Sequence, residues 1–304
     1  MGWDDYNLLR EALERDGAAA SLDRLQRAVA APGELLVPLS GLLAQAYELL
    51  GRPQDAAALL RALIEAGLGD FWTHHLLAGN LRALGDLAGC AEQYRRSHAL
   101  HGWPESARHG YVFTHDYFAA KLDDWRGWFR DQITAAPLAA LEIGSWQGAS
   151  AAWLLDAVIG PRGGRLTCID TFAGSSEHAS AAGAALPGLQ AAFDANIART
   201  GRAAQVRKLV GASQQVLPRL AGERFDFIFI DGAHEAKYVI QDAVLCWGLL
   251  PVGGFMLFDD VEFRFADRPA QDTRHAIAAF CRLFAEDIAV LAEGRELLLR
   301  RIGE

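Results

Sequence analysis

Two apolar runs in the last third of the chain each finish in acidic residues. Phe-Asp-Phe-Ile-Phe-Ile at 225–230 leads into Asp231, with His234 three residues on, and Gly-Gly-Phe-Met-Leu-Phe at 253–258 leads into Asp259 and Asp260. Runs this apolar are buried on both faces, as strands of a parallel sheet covered by helices, and such sheets collect ligands at their strands' carboxyl ends. Asp231, His234, Asp259 and Asp260 are therefore expected to converge: three carboxylates beside an imidazole which, with an unperturbed pKa near 6.5, can take a proton at neutral pH. Taken singly, each has a plainer reading. Asp259-Asp260 can cap the next helix, Asp231-Gly232 can be a turn, and a lone histidine is more often solvated.

The elements that must position these groups alternate from residue 138 onward. Strands are predicted at 138–143, 165–170, 205–210, 225–231 and 254–259, with helical patterns between them, and a final pair at 287–292 and 295–301 is joined by a Glu-Gly turn. Alternation of this kind predicts an α/β fold: a mostly parallel, Rossmann-like sheet with helices on both faces, closed by an antiparallel hairpin. The first strand runs into Glu142-Ile-Gly144-Ser145-Trp146-Gln-Gly148. A dinucleotide site needs glycine where Trp146 stands, so that the backbone can meet a pyrophosphate. A nucleoside ligand without a pyrophosphate has no such need, and the turn at Gly144, Ser145 and Gly148 still offers backbone amides at a helix start. Glu142 is read either as a partner for the amino end of such a ligand or as an acceptor that supports the loop. Asp170, 22 residues past Gly148 and followed by Thr171, stands where a carboxylate can accept from both ribose hydroxyls. After the third strand, Gly211 and Ser213 are placed to border an adenine ring.

The first third has a different pattern. Gly17, Gly51 and Gly85 lie 34 residues apart, and small residues at Ala56 and Cys90 and larger ones at Leu60 and Tyr94 follow at matching offsets. This resembles the tetratricopeptide repeat, a helix-turn-helix unit of that length, with a degenerate first copy in which Arg10 and Leu22 occupy small-residue positions. Residues 1–105 are thus read as a helical-repeat domain and 106–304 as the sheet domain, with a helix over 111–133 opening the latter. His74 and His75 read as surface residues of the array. Tyr111, His115 and Tyr117 are expected either to line the acceptor pocket or to pack between domains. The Gly- and Ala-rich stretch 173–188, with Ser175, Ser176, Glu177 and His178, is too long for a simple connection and is expected to cover the substrate.

With 304 residues, 51% of them hydrophobic and 22% charged, the chain can bury full cores, and a net charge of −9 argues against a nucleic-acid or anionic-membrane surface. The four cysteines show no metal-ligand or redox spacing, so buried free thiols in a reducing cytoplasm are expected. No apolar run of membrane-spanning length occurs.

Over roughly 110–304 the chain resembles the class I S-adenosylmethionine-dependent methyltransferases, on Glu142-x-Gly144-x-x-x-Gly148, Asp170, Gly211-x-Ser213, Asp231-Gly232 and Asp259-Asp260. More narrowly it is similar to the metal-dependent O-methyltransferases acting on macrolide sugars and related small molecules. The resemblance implies S-adenosylmethionine held by Glu142, Gly144, Ser145, Gly148, Asp170, Thr171, Ser213 and Asp231, Mg2+ held by Asp231, Asp259 and Asp260, and His234 as base acting with Asp231. Hard all-oxygen ligands suit Mg2+, which stabilises a developing alkoxide. One departure is Ala212, where many relatives carry an acid against the adenine amino group. The implied partner is a hydroxylated small molecule, with homo-oligomer or protein contacts through the helical region. Two other readings stay open: a metal-free N- or O-methyltransferase, and a partner-binding protein whose sheet holds cofactor without turnover.

Overall fold

The computed structural model describes residues 2–31, 33–174 and 188–303. Two compact units divide after Leu122.

The first unit holds six main helices: α1 (Trp3–Asp16), α2 (Ala18–Ala30), α3 (Leu36–Leu49), α4 (Pro53–Glu65), α5 (Phe71–Ala83) and α6 (Leu87–Leu100). They pair in sequence, and the three periodic glycines fall between the members of each pair, with Gly51 at φ 67° and Gly85 at φ 82°. Left-handed backbone of this kind strains any side chain with a Cβ, so glycine ends one helix and releases the next within two or three residues. Pro53 opens α4 and Asp86 caps α6 through the Gly89 amide. The small positions Ala44, Ala56, Ala78 and Cys90 are fully buried, which lets neighbouring helices approach closely.

The predicted helix over 111–133 is shorter than expected. Residues 111–118 are non-helical, and the helix proper is Leu122–Asp131 after a single turn at Ala119–Lys121. The cause is Asp116, whose Oδ1 accepts the Phe118 and Ala119 amides at 2.9 and 3.0 Å, a local bond that competes with helix. Its Oδ2 accepts from buried His98 Nε2 at 2.8 Å, and His75 Nδ1 lies at 3.6 Å. His98 Nδ1 in turn lies 2.7 Å from the Ser106 hydroxyl. His75 and His74 are therefore not surface residues: His74 is buried, with Nδ1 2.6 Å from Gln93 Oε1. Burial alone would push the Asp116 carboxyl up, but His98 and His75 hold it well below the usual range. A lowered folded pKa means that this stabilisation is present above about pH 4 and is lost as pH falls through the folded value. Asp116→Ala removes the acceptor of two amides and of the His98 imidazole, and breaking such a buried pair costs about 3–5 kcal/mol. Urea unfolding of the full chain should show that loss, and a variant within about 1 kcal/mol of the parent would refute it.

The second unit is a seven-stranded sheet of order β3-β2-β1-β4-β5-β7-β6. Its strands are β1 (Leu138–Ile143), β2 (Gly164–Asp170), β3 (Val206–Val210), β4 (Phe227–Ile230), β5 (Phe255–Phe258), β6 (Ile288–Glu293) and β7 (Leu297–Arg301). The first five pair in parallel, and β7 runs antiparallel to both β5 and β6, with a register shift between Val290 and Ala292. This is the Rossmann-like methyltransferase fold, and every predicted strand is present within two residues of its expected bounds. β4 and β5 are buried throughout because helices cover both faces. On one face Leu141, Ile143, Ile228, Ile230, Met256 and Phe258 pack with the helices Ala236–Trp247 and Thr273–Leu283. On the other, Trp125 lies edge-on to Phe227 and Phe229, with its indole N–H donating to Glu296. Cys90, Cys168 and Cys246 are buried, and all four cysteines are free thiols.

Candidate active site

In this order β1 and β4 lie side by side while their connections leave in opposite directions, β1 towards β2 and β4 towards β5. The crevice outside their carboxyl ends is where open α/β sheets bind ligands. The turn after β1 has to pass very close to the turn after β4. A Cβ on Gly144 (φ 85°) would sit 1.7 Å from the Asp231 carbonyl oxygen, so only glycine fits there. Gly148 (φ 83°) then opens the helix Ala149–Trp153.

Asp170 ends β2 and grips this turn. Its Oδ2 accepts the Ser145 and Trp146 amides, each at 2.8 Å, and its Oδ1 accepts the Phe172 amide at 2.7 Å. Glu142 is completely buried and accepts the hydroxyls of Ser145 and Ser150. Burial pushes its carboxyl up, and the two serine hydrogen bonds oppose that shift. Of the two readings of Glu142, the loop-supporting one describes the contacts it makes. Thr171 is exposed and its Oγ1 accepts the Ala173 amide. Ser213 starts a short helix directly after Gly211 and Ala212, and is buried.

Asp231, His234 and Asp260 come together: one ligating atom from each lies within 4.8 Å of the other two. His234 Nε2 is 3.2 Å from Asp260 Oδ2 and 3.8 Å from Asp231 Oδ1. The histidine is held by Phe263, 4.6 Å away ring to ring, and by its own carbonyl, which accepts from the Thr273 hydroxyl. Asp259 is not one of the three; it is buried, and its amide extends the ladder to the Ile230 carbonyl. Asp260 leaves the strand in a left-handed conformation, φ 50°. Trp146 (φ 47°) and Phe172 (φ 53°) do the same after β1 and β2, and these three are the non-glycine positive-φ residues among those described. Costly backbone of this sort persists where surrounding structure enforces it and clusters at functional sites.

Tyr111, His115 and Tyr117 belong to the first unit. Tyr111 packs against Trp103 and Phe113, and His115 Nε2 accepts from Arg82 at 2.8 Å. Ser175, Ser176, Glu177 and His178, expected to cover the substrate, lie outside the described residues. Sequence reasoning passed over Asp242, a carboxylate inside the helix Ala236–Trp247, and its partner Gln214. The one visible signal was an acid between Val239-Ile240 and Ala243-Val244-Leu245.

Residues 141–261 match the family model described as a methyltransferase domain. The second unit has the Rossmann-like methyltransferase fold, and the match lies within it. The chain is 32% identical over 154 residues to a protein of Mycobacterium sp. (strain JLS) named "Putative O-methyltransferase", covering 49% of this chain and 61% of that protein. It thus spans about three fifths of that relative's length. Among solved structures it is similar to an O-methyltransferase from Bacillus cereus in complex with SAH, at 22% identity and TM-score 0.46, covering 62% of this chain and 83% of that one. TomG of Streptomyces achromogenes, an O-methyltransferase of tomaymycin synthesis solved with SAM, is similar at 21% identity and TM-score 0.40, covering 54% and 73%.

Proposed function

We propose that this chain moves a methyl group from S-adenosylmethionine to a hydroxyl of a small molecule, a sugar or another natural product, with Mg2+ bound and His234 as base. The observation that carries the reading is the convergence of Asp231, His234 and Asp260 beside the Gly144 turn. An alcohol barely ionises at neutral pH, so the site has to remove its proton. His234 takes that proton, and the Asp260 carboxylate, 3.2 Å from its Nε2, stabilises the imidazolium that results. Asp231 and Asp260 would hold the ion, with Asp259 adjoining in sequence, and two carboxylates with room for water suit a hard divalent cation. When bound, it supplies Lewis-acid stabilisation of the developing alkoxide.

Asp170 serves the ribose. Three backbone amides already occupy three of about four lone-pair sites on its carboxylate, which leaves it to accept one further hydroxyl directly. Gly144, Ser145, Gly148 and Thr171 shape the turn around the cofactor, and Glu142 holds that turn from beneath. The helical unit is proposed as the surface for a second copy or a protein partner. The acidic net charge of −9 disfavours nucleic acid and anionic membrane. Among the described residues no helix is long and apolar enough to cross a membrane, and a cytoplasmic location is part of the proposal.

Calorimetric titration tests the reading. S-adenosylmethionine should bind the parent and the double variant Asp259→Ala/Asp260→Ala alike, whereas Mg2+, with a vicinal diol present, should bind the parent alone. A parent that binds no cofactor sinks the proposal. The 3.2 Å approach of His234 Nε2 to Asp260 Oδ2 is compatible with a second reading in which Asp231 and His234 contact the acceptor directly and transfer is metal-free. Turnover undiminished by a chelator would select it.

A further inference from the structure

Arg82 stands partly buried in the last turn of α5, and its side chain meets an uncharged group: Nη1 donates to His115 Nε2 at 2.8 Å. A guanidinium only donates, so the imidazole accepts at Nε2, is neutral and cannot balance the charge. Arg95, also partly buried, has the Glu92 carboxylate at 2.7 Å, whereas among the described residues Arg82 has no carboxylate within 4.0 Å. Two carboxylates act with Arg82 on the buried Cys90 thiol, but both are committed. Asp86 accepts the Gly89 amide, and Asp116 accepts two amides and His98. The carboxyl end of α5 contributes only about half a negative charge. Its Asn80, Leu81 and Arg82 carbonyls already accept the amides of Leu84, Asp86 and Gly85. Within the guanidinium, Nε is sealed from solvent with no acceptor, while Nη2 is neither sealed nor bonded among the described residues. With one Nη1 hydrogen spent on His115, three N–H donors remain on the two terminal nitrogens, enough for two oxygens of one oxyanion.

We propose that Arg82 anchors an oxyanion site on the helical unit, taking the phosphate or carboxylate group of a small molecule through Nη1 and Nη2 while His115 holds the guanidinium in place. A partly desolvated cation without a counter-charge is costly, and a bound oxyanion supplies that charge. The site stands apart from the methyl-transfer reading. Its second residue comes from segment 111–118, after the six helices and outside their 34-residue period.

The test follows modification of Arg82 by phenylglyoxal in the full chain, read by peptide mass, in chloride and in about 50 mM inorganic phosphate or acetate at one ionic strength. Phosphate should slow Arg82 at least about fivefold, because the free fraction of the guanidinium falls as bound anion accumulates, while exposed Arg61 and Arg199 slow by less than about 1.5-fold. Equal protection by acetate supports a site for either oxyanion; protection by phosphate alone supports one for a phosphate group. An Arg82 that reacts equally fast in all three media overturns the inference, and so does one already inert in chloride, sealed by the protein itself. Arg82→Gln gives a second readout. Phosphate stabilises proteins in general by exclusion from their surface, so the variant's unfolding midpoint rises too, but the parent's should rise by about 2–4 °C more. Equal rises overturn the site as well.

Discussion

Replacing His234 with alanine is expected to lower kcat by about 10²–10⁴-fold, the usual contribution of a positioned general base, while the Kd for S-adenosylmethionine stays within about threefold of the parent value. The imidazole is oriented from three sides: its Nε2 is 3.2 Å from Asp260, its ring packs on Phe263, and its carbonyl is tied to the Thr273 hydroxyl. None of those contacts belongs to the turn after β1 or to Asp170, and Asp231, 3.8 Å from Nε2, is fixed by its own amide's bond to the Ile143 carbonyl, so the cofactor's binding groups should keep their places. Steady-state kinetics with an acceptor diol, paired with calorimetry, separates the two effects. Turnover within about fivefold of the parent would remove His234 from the chemistry. Cofactor affinity lost in step with turnover would show that it holds the site together instead.

The second large effect is steric. Gly144→Ala places a Cβ 1.7 Å from the Asp231 carbonyl oxygen, 2.4 Å from its carbon and 2.9 Å from Gly232 Cα, all backbone that cannot rotate aside. The residue also sits at φ 85°, which adds about 1–2 kcal/mol for any side chain. β1 and β4 are hydrogen-bonded up to this point, the Asp231 amide to the Ile143 carbonyl at 2.8 Å, so relief requires parting the two central strands where the site is built. A loss above about 4 kcal/mol, with cofactor binding abolished, is expected from thermal and urea unfolding. Gly51→Ala is the control: φ is also positive there, at 67°, but a Cβ meets nothing within 4 Å, so only the conformational cost of about 1–2 kcal/mol should remain. Equal effects at the two positions would show that conformational strain, and not the crossing of the two turns, governs Gly144.

Much of the second unit was legible in the chain because its signals are local. The central strands β4 and β5 are short apolar runs closed by turn residues, and burial on both faces leaves no polar alternation to blur their ends. Glu142-x-Gly144-x-x-x-Gly148 and Asp170 lie one strand–helix–strand apart, and the tight turn and helix start that such a spacing demands are what the backbone forms. The 34-residue recurrence of Gly17, Gly51 and Gly85 likewise marked three helix pairs, because a left-handed turn between antiparallel helices needs glycine regardless of what packs around it. The helix expected from residue 111 was misjudged for the converse reason. Its aromatic periodicity is real, but Asp116 has two histidines for partners from elsewhere in the first unit, and once buried it binds the Phe118 and Ala119 amides that a helix would have used.

By itself the sequence determined a parallel sheet, the order of its turns, and the placement of acids and a histidine at the ends of two neighbouring strands. Tertiary structure alone decided which of those acids meet. Asp259 and Asp260 are neighbours in the chain and equal by composition, yet Asp259 stays in the ladder and is buried, whereas Asp260 turns left-handed out of the strand and reaches His234. A period of two says that adjacent side chains point apart, but not at which residue the strand stops obeying it. The Asp242–Gln214 pair, 28 residues apart, is of the same kind. Its meaning lies in the desolvation of a carboxylate between two turns, and desolvation is a property of the packed sheet and helices, not of any residue's neighbours along the chain.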